Sequence, residues 1–224
     1  DSSPLNLLES LLDLESNIHH SLTSDDLIRA NSYLSLKQAN EQRLKFSSKE
    51  EFLESLKLTL LIKSLKPINL KRALQLITKT NQFNLTSDRL TISDLESRMN
   101  SDSYKYIMFS LEDIYTNHGE IGLIGLHLKK NQVEIVHFLL SCRVLGRGIE
   151  YSMFNYAMDL TKALPFKKLL SFYSINKNSE PASKFYSDVG MKIVRETKQR
   201  IEFDANIAEY NSKVVKWIKT KEIQ

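Results

Sequence analysis

Apolar residues recur in this chain at two spacings, and the switches between them mark its elements. Leucines over Leu5–Leu14 and Leu22–Leu34 fall on a helical stripe, with Thr23 or Ser24 as a cap and Asp25 and Asp26 opposing the dipole in the first turn. Ser47 or Ser48 before Lys49-Glu50-Glu51 caps a further short helix to about Leu56. Lys57–Leu65 then has the composition of a strand, stopped by Pro67, and Leu70, Ala73, Leu74 and Ile77 share one helical face over Asn69–Thr78. Lys79–Thr86, reading K-T-N-Q-F-N-L-T, is too polar for a long helix and reads as a loop around Phe83. Thr91 or Ser93 caps a helix through about Met99. Residues 1–56 are thus expected to be a helical extension or linker and 57–224 the main domain.

A meander comes next: Tyr104–Leu111, Gly119–Leu128 and Gln132–Ser141 read as strands, the last two joined closely enough at Lys129-Lys130-Asn131 for a hairpin. The third strand runs into Arg143-Val-Leu-Gly146-Arg147-Gly148, and an amphipathic segment, Ile149–Leu164, starts without a break. Two glycines two apart allow a tight turn and a close ligand approach, and amides opening a helix point outward at the positive end of its dipole. The pattern predicts an anion site on the amides of Val144, Leu145, Gly146, Arg147 and Gly148, with charge from Arg143 and Arg147. A Walker A loop is excluded because Ile149 and Glu150 succeed the glycines, and a dinucleotide fingerprint because it needs a third glycine. Beyond the helix lie a strand over Lys167–Ile175, a hairpin over Met191–Thr197 and Arg200–Asp204, and an amphipathic tail around Trp217 that fits strand or helix equally.

With 224 residues, 42% of them hydrophobic and 26% charged, the chain can bury a proper core. A net charge of +4 is too small to argue for a nucleic-acid partner. Adjacent His19 and His20 point about 100° apart on a helix and would not share a metal, so no metal is expected. A single cysteine, with no visible signal peptide and no apolar run of membrane length, points to a reducing, cytoplasmic setting, although Asp1 as first residue leaves room for a longer parent chain. Cys142 beside the anion turn is a candidate nucleophile if dipole and arginines favour its thiolate. Strict alternation puts Glu134 and His137 on opposite sheet faces, so only one can look into a cleft, and His137 has the more useful pKa for a base.

The turn resembles the Gln/Arg-x-x-Gly-x-Gly/Ala signature of GNAT acyltransferases, and the stretch from Asn178 through Ala182, Phe185 and Tyr186 to Gly190 is similar to that family's second signature, with Met191 in place of the usual aromatic. The resemblance implies an α/β fold of GNAT type on a mixed sheet. It also implies coenzyme A or an acyl-CoA as cofactor, main-chain pairing of the pantetheine arm at Leu139 or Leu140, a contact from Asn178, and Tyr186 as proton donor to the leaving thiolate. K-T-N-Q-F-N-L-T and S-C-R-V-L-G-R-G-I-E (Ser141–Glu150), supported by Thr23–Tyr33 and Asn176–Tyr186, further resemble the C-terminal half of FkbH-like proteins. That likeness implies a neighbouring haloacid dehalogenase-like domain in the parent protein and a glyceryl thioester passed to an acyl carrier protein in polyketide biosynthesis. The dehalogenase motif D-x-D-x-T is absent from these residues. Three functions are then open: an acyltransferase acting on thioesters of coenzyme A or of a carrier's phosphopantetheine, a non-catalytic module that docks the carrier for the neighbouring domain, or a simple N-acetyltransferase on a small amine, whose amine-binding residues one sequence does not reveal.

Overall fold

The computed structural model describes residues 31–34, 41–175 and 182–223. The helices expected before Asn31 and the contact expected of Asn178 lie outside them. Helix α1 (Lys49–Ser55) opens on Ser48, whose hydroxyl accepts from the Glu51 amide while the Glu51 carboxylate accepts from the Ser47 amide. Its Phe52 and Leu53 enter the core. Strand β1 (Leu58–Ser64) buries alternate residues, and the turn Pro67–Asn69 leads into α2 (Leu70–Lys79), which buries Leu70, Ala73, Leu76 and Ile77. Helix α3 (Ile92–Met99) starts at a reciprocal cap between Thr91 and Asp94. Then come β2 (Tyr104–Glu112), β3 (Asn117–Lys129), β4 (Gln132–Leu140), α4 (Ile149–Lys162), β5 (Lys168–Ser174), α5 (Phe185–Asp188), β6 (Lys192–Glu196), β7 (Arg200–Asn206) and β8 (Ile218–Glu222).

These strands form one sheet in the order β6-β7-β5-β4-β3-β2-β1-β8, antiparallel except at β4/β5 and β1/β8. The ambiguous tail is therefore a strand at Ile218–Glu222, because β1 offers an unpaired edge for it. One face of the sheet packs on α4 through residues such as Ile135, Phe138, Leu140, Met153, Phe154 and Ala157; the other packs on α2 and α3 through Leu123 and Leu139.

Two irregularities interrupt the sheet around β4. The register between β3 and β4 steps from Gly125 opposite His137 to Leu126 opposite Ile135, so Val136 is an extra residue, a bulge. The bulge overturns strict alternation: His137 lies on the same face as Glu134 and Leu139, and Phe138 and Leu140 take the α4 side with Val133 and Ile135. Secondly, β4 and β5 pair only over Gln132–Glu134 and Lys168–Leu170, after which the two parallel strands part.

Candidate functional site

The glycine turn has the shape its sequence demands. Gly146 and Gly148 both sit at φ +80°, a left-handed conformation that side chains with a Cβ adopt only under strain. A Cβ on Gly146 would meet nothing within 4 Å, whereas one on Gly148 would touch Trp217 and Val215 at 3.4 Å. Val144 and Leu145 spend their amides inside the turn, on the carbonyls of Ser141 and Cys142. Among the described residues the amides of Gly146, Arg147 and Gly148 have no acceptor, and they lead into the start of α4, where Glu150 stands in the first turn with its carboxyl raised by burial.

The arginines flanking this turn are turned inward. Arg143 is buried and donates from Nε to Ser141 Oγ at 3.1 Å. Arg147 donates from Nη1 to Asp113 Oδ2 at 3.0 Å, its side chain 7% exposed and that of Asp113 not at all. The same carboxylate lies 2.8 Å from His118 Nε2, and His118 Nδ1 lies 2.6 Å from Ser32 Oγ. Burial alone would raise the Asp113 carboxyl; hydrogen bonds from His118 and the amides of Tyr115 and Thr116, together with the charge of His118, lower it to about 2. A buried chain of polar groups thus ties Ser32 to the glycine turn, and Trp217 Nε1 fixes the turn from the other side by donating to the Arg147 carbonyl at 2.7 Å. Sequence reasoning missed Asp113, His118 and Ser32, because residues so far apart in the chain share no spacing rule.

The gap between β4 and β5 is occupied by the chain itself. Leu140 donates its amide to the Phe83 carbonyl at 3.0 Å, Leu85 donates to the Phe138 carbonyl at 3.2 Å, and Ser174 of β5 donates to the Leu85 carbonyl at 2.8 Å. Asn84 stands opposite Leu139 as an isolated antiparallel bridge. The main chain at Leu139 and Leu140 is therefore engaged by K-T-N-Q-F-N-L-T, a stretch whose polar composition predicts only a loop. Tyr186 is 1% exposed among Phe138, Phe154, Phe185 and Phe203; its hydroxyl makes no well-formed hydrogen bond among the described residues, and burial, opposed by the nearby Ser171 side chain, pushes its phenol far above the ordinary range.

His137 is completely buried on the α2/α3 face. Its Nδ1 lies 3.4 Å from the Tyr106 hydroxyl, and its Nε2 has no hydrogen-bond partner among the described residues, with Asp88 Oδ2 3.8 Å away. Burial, partly offset by Asp88, lowers its pKa to about 4, so the ring is neutral. Cys142 is exposed and lines a recess of about 170 Å³ with Arg72, Lys79 and Arg143. The structure thus groups Cys142, Arg143 and the glycine turn at the end of β4, with Tyr186 and His137 on opposite faces of the sheet below. Among the described residues no cluster of His, Cys, Asp or Glu is arranged to hold a metal ion, and no helix is long and apolar enough to cross a membrane.

Solved structures with the same fold include acetyltransferases. The spermidine/spermine N-acetyltransferase of Vibrio cholerae aligns with TM-score 0.52 at 15% identity over 67% of this chain and 95% of its own. The ribosomal-protein-S18-alanine N-acetyltransferase of Escherichia coli aligns with TM-score 0.53 at 12% identity over 69% of this chain and 98% of its own. A GNAT-family protein from Desulfovibrio desulfuricans gives 0.52 at 11% identity over 66% and 99%. The fold is that of the GNAT acetyltransferases. No protein-family model and no curated protein matches the sequence. The FkbH-like resemblance rests on the sequence strings alone.

Proposed function

We propose that this chain is an acyltransferase module that binds a thioester of coenzyme A, or of phosphopantetheine on an acyl carrier protein, by its phosphate. The observation that carries this reading is the Gly146–Gly148 turn, three amides without acceptors among the described residues, set between a strand and a helix. Preorganised donors of this kind hold an anion without reorganising. The pantetheine arm would then run along the edge of β4 past Leu140 and Leu139, bringing its sulfur to the divergence of β4 and β5. His137, neutral at physiological pH, would take the acceptor's proton, and Tyr186 would return one to the departing thiolate. Transfer is direct, with Cys142 outside the reaction. The strings shared with FkbH-like proteins support a parent in which a haloacid dehalogenase-like domain handles phosphate while this module handles the acyl thioester, a glyceryl unit among the candidates.

Phe83–Leu85 in the gap and a Tyr186 hydroxyl sealed in an aromatic cluster favour a second reading, a non-catalytic module that docks the carrier protein. Calorimetry with coenzyme A and with a phosphopantetheinylated carrier, followed by a thioester-cleavage assay, separates the two. The first requires coenzyme A binding that Gly146→Val weakens, together with turnover; carrier binding without turnover would leave the second. Absence of binding to either ligand refutes both.

A further inference from the structure

We propose that Phe83–Asp88 is a displaceable strap, seated strand-fashion in the slot that a thioester's arm would take, whose withdrawal opens the slot and uncovers His137 in one movement. This inference rests on the thioester reading. A pantetheine arm is a chain with two amides, offering the same alternation of donors and acceptors as the strap's main chain. Occupancy is exclusive, because the Leu140 amide has one proton and gives it to the Phe83 carbonyl. The strap spans both rims of the slot, with Phe138 and Leu140 on one side and Ser174 on the other, where Ser174 Oγ also donates to the Thr86 carbonyl at 2.7 Å.

Its seat is firm at one end and uneasy at the other. The Phe83 ring packs edge-on against Phe185 at 5.3 Å and tilted against Phe138 at 5.9 Å, and Leu85 is wholly buried. Thr86 Oγ1, by contrast, is buried with no partner among the described residues, and Ser87 holds φ +53°, the left-handed region, without being a glycine. Just beyond, Asp88 closes over His137, whose Nε2 is likewise unsatisfied. Ser87 keeps its turn through its own amide bond to Asn84 Oδ1 at 2.9 Å and can move with the strap, whereas the two unsatisfied atoms, Thr86 Oγ1 and His137 Nε2, belong to the seated state and gain access to solvent when the strap lifts. Room for the movement exists: a cavity of about 340 Å³, lined in part by Thr78, Thr80 and Asn81 at the end of α2 and by Ser174, flanks the strap at Asn84 and Ser87. Thioester entry thus exchanges one main-chain partner of β4 for another, in the manner of an added strand, and the base is exposed only when the slot changes hands.

Amide hydrogen exchange on the full chain tests this in two arms. In the free protein the amides of Leu85, Leu140 and Ser174 should open together, faster than those of Met108 and Leu123 at the sheet centre. Ser174→Ala should speed all three about fivefold, and Phe83→Ala about a hundredfold or more, leaving the centre unchanged. Exchange of the three at the rate of the centre, or acceleration of one alone, overturns the strap. With saturating coenzyme A, Leu85 and Ser174 should lose protection while Leu140 keeps it, and bound coenzyme A with all three unchanged overturns the exchange. If the three open together and coenzyme A does not bind, the strap stands and the thioester reading falls.

Discussion

Asp113→Asn tests the idea that the glycine turn is held from beneath by a buried carboxylate. The substitution keeps the shape and keeps Oδ1, which accepts from the amides of Tyr115 and Thr116 at 2.9 and 3.0 Å. It replaces Oδ2, which lies 3.0 Å from Arg147 Nη1 and 2.8 Å from His118 Nε2 in the wild type, by an NH₂, so that at Arg147 a donor confronts an obligatory donor. A carboxyl held at about 2 against an ordinary 3.8 contributes about 2 kcal/mol at neutral pH. The stranded guanidinium, with a side chain only 7% exposed, brings the expected loss to about 3–5 kcal/mol. Urea unfolding of the full chain measures it, and a cycle with Arg147→Met should return a coupling above about 1 kcal/mol. The lowered carboxyl sets the sign with pH: its contribution is complete above about 3.8 and is lost as pH falls towards about 2, so the gap between wild type and variant narrows in acid. A variant within about 1 kcal/mol of wild type at pH 7, or a gap that does not narrow below pH ~4, refutes the reasoning.

Other outcomes are as definite. Gly146→Ala and Gly148→Ala both force a Cβ into φ +80°, and each should cost about 1 kcal/mol or a little more in urea unfolding; the 3.4 Å approaches to Trp217 and Val215 at Gly148 are ordinary van der Waals contacts, so a loss there several times that at Gly146 would refute backbone strain as the common cause. Tyr186→Phe removes a buried hydroxyl without a partner among the described residues and should leave stability within about 1 kcal/mol of wild type or raise it, whereas thioester cleavage should fall if the phenol is the proton donor. Because His137 is neutral down to about 4 in the folded protein and titrates near 6.5 when unfolded, wild-type stability should drop by about 3 kcal/mol as pH falls from 6.5 to 4. His137→Gln should lack that component in urea titrations. Cys142→Ser should keep turnover within about twofold, and mass spectrometry should find no acyl adduct on the wild-type thiol; a stable adduct would restore the covalent route.

Periodicity locates the elements well because their signals are local. Thr91 and Ser48 announce helices through their own side chains, and Lys129 stands opposite Gln132 across a turn short enough for one solution. The glycine turn is legible for the same reason, since positive φ at Gly146 and Gly148 is a property of the residues themselves. What the sequence hides depends on partners distant in the chain. The bulge at Val136 leaves no mark on an alternating strand, yet it carries His137 to the other face. Phe83–Leu85 is too short, and with Asn81, Gln82 and Asn84 its stretch is too rich in amides, to read as a strand, and its pairing exists only because β4 and β5 diverge elsewhere. The Ser32, His118 and Asp113 set escapes any motif for the same reason. Around Trp217, helix and strand are equally legible in the tail, and only the free edge of β1 decides between them.

That edge has a consequence for biosynthesis. Strand β8 lies alongside β1, the first strand of the sheet, although every other strand is translated between them. On the ribosome β1 must wait for its outer neighbour until the whole domain has emerged, and long-range pairings of this kind slow folding. Trp217, which precedes β8, holds the Arg147 carbonyl, so the glycine turn takes its final shape among the last events of folding. A nascent chain stalled before Trp217 would carry the sheet's centre without a finished glycine turn.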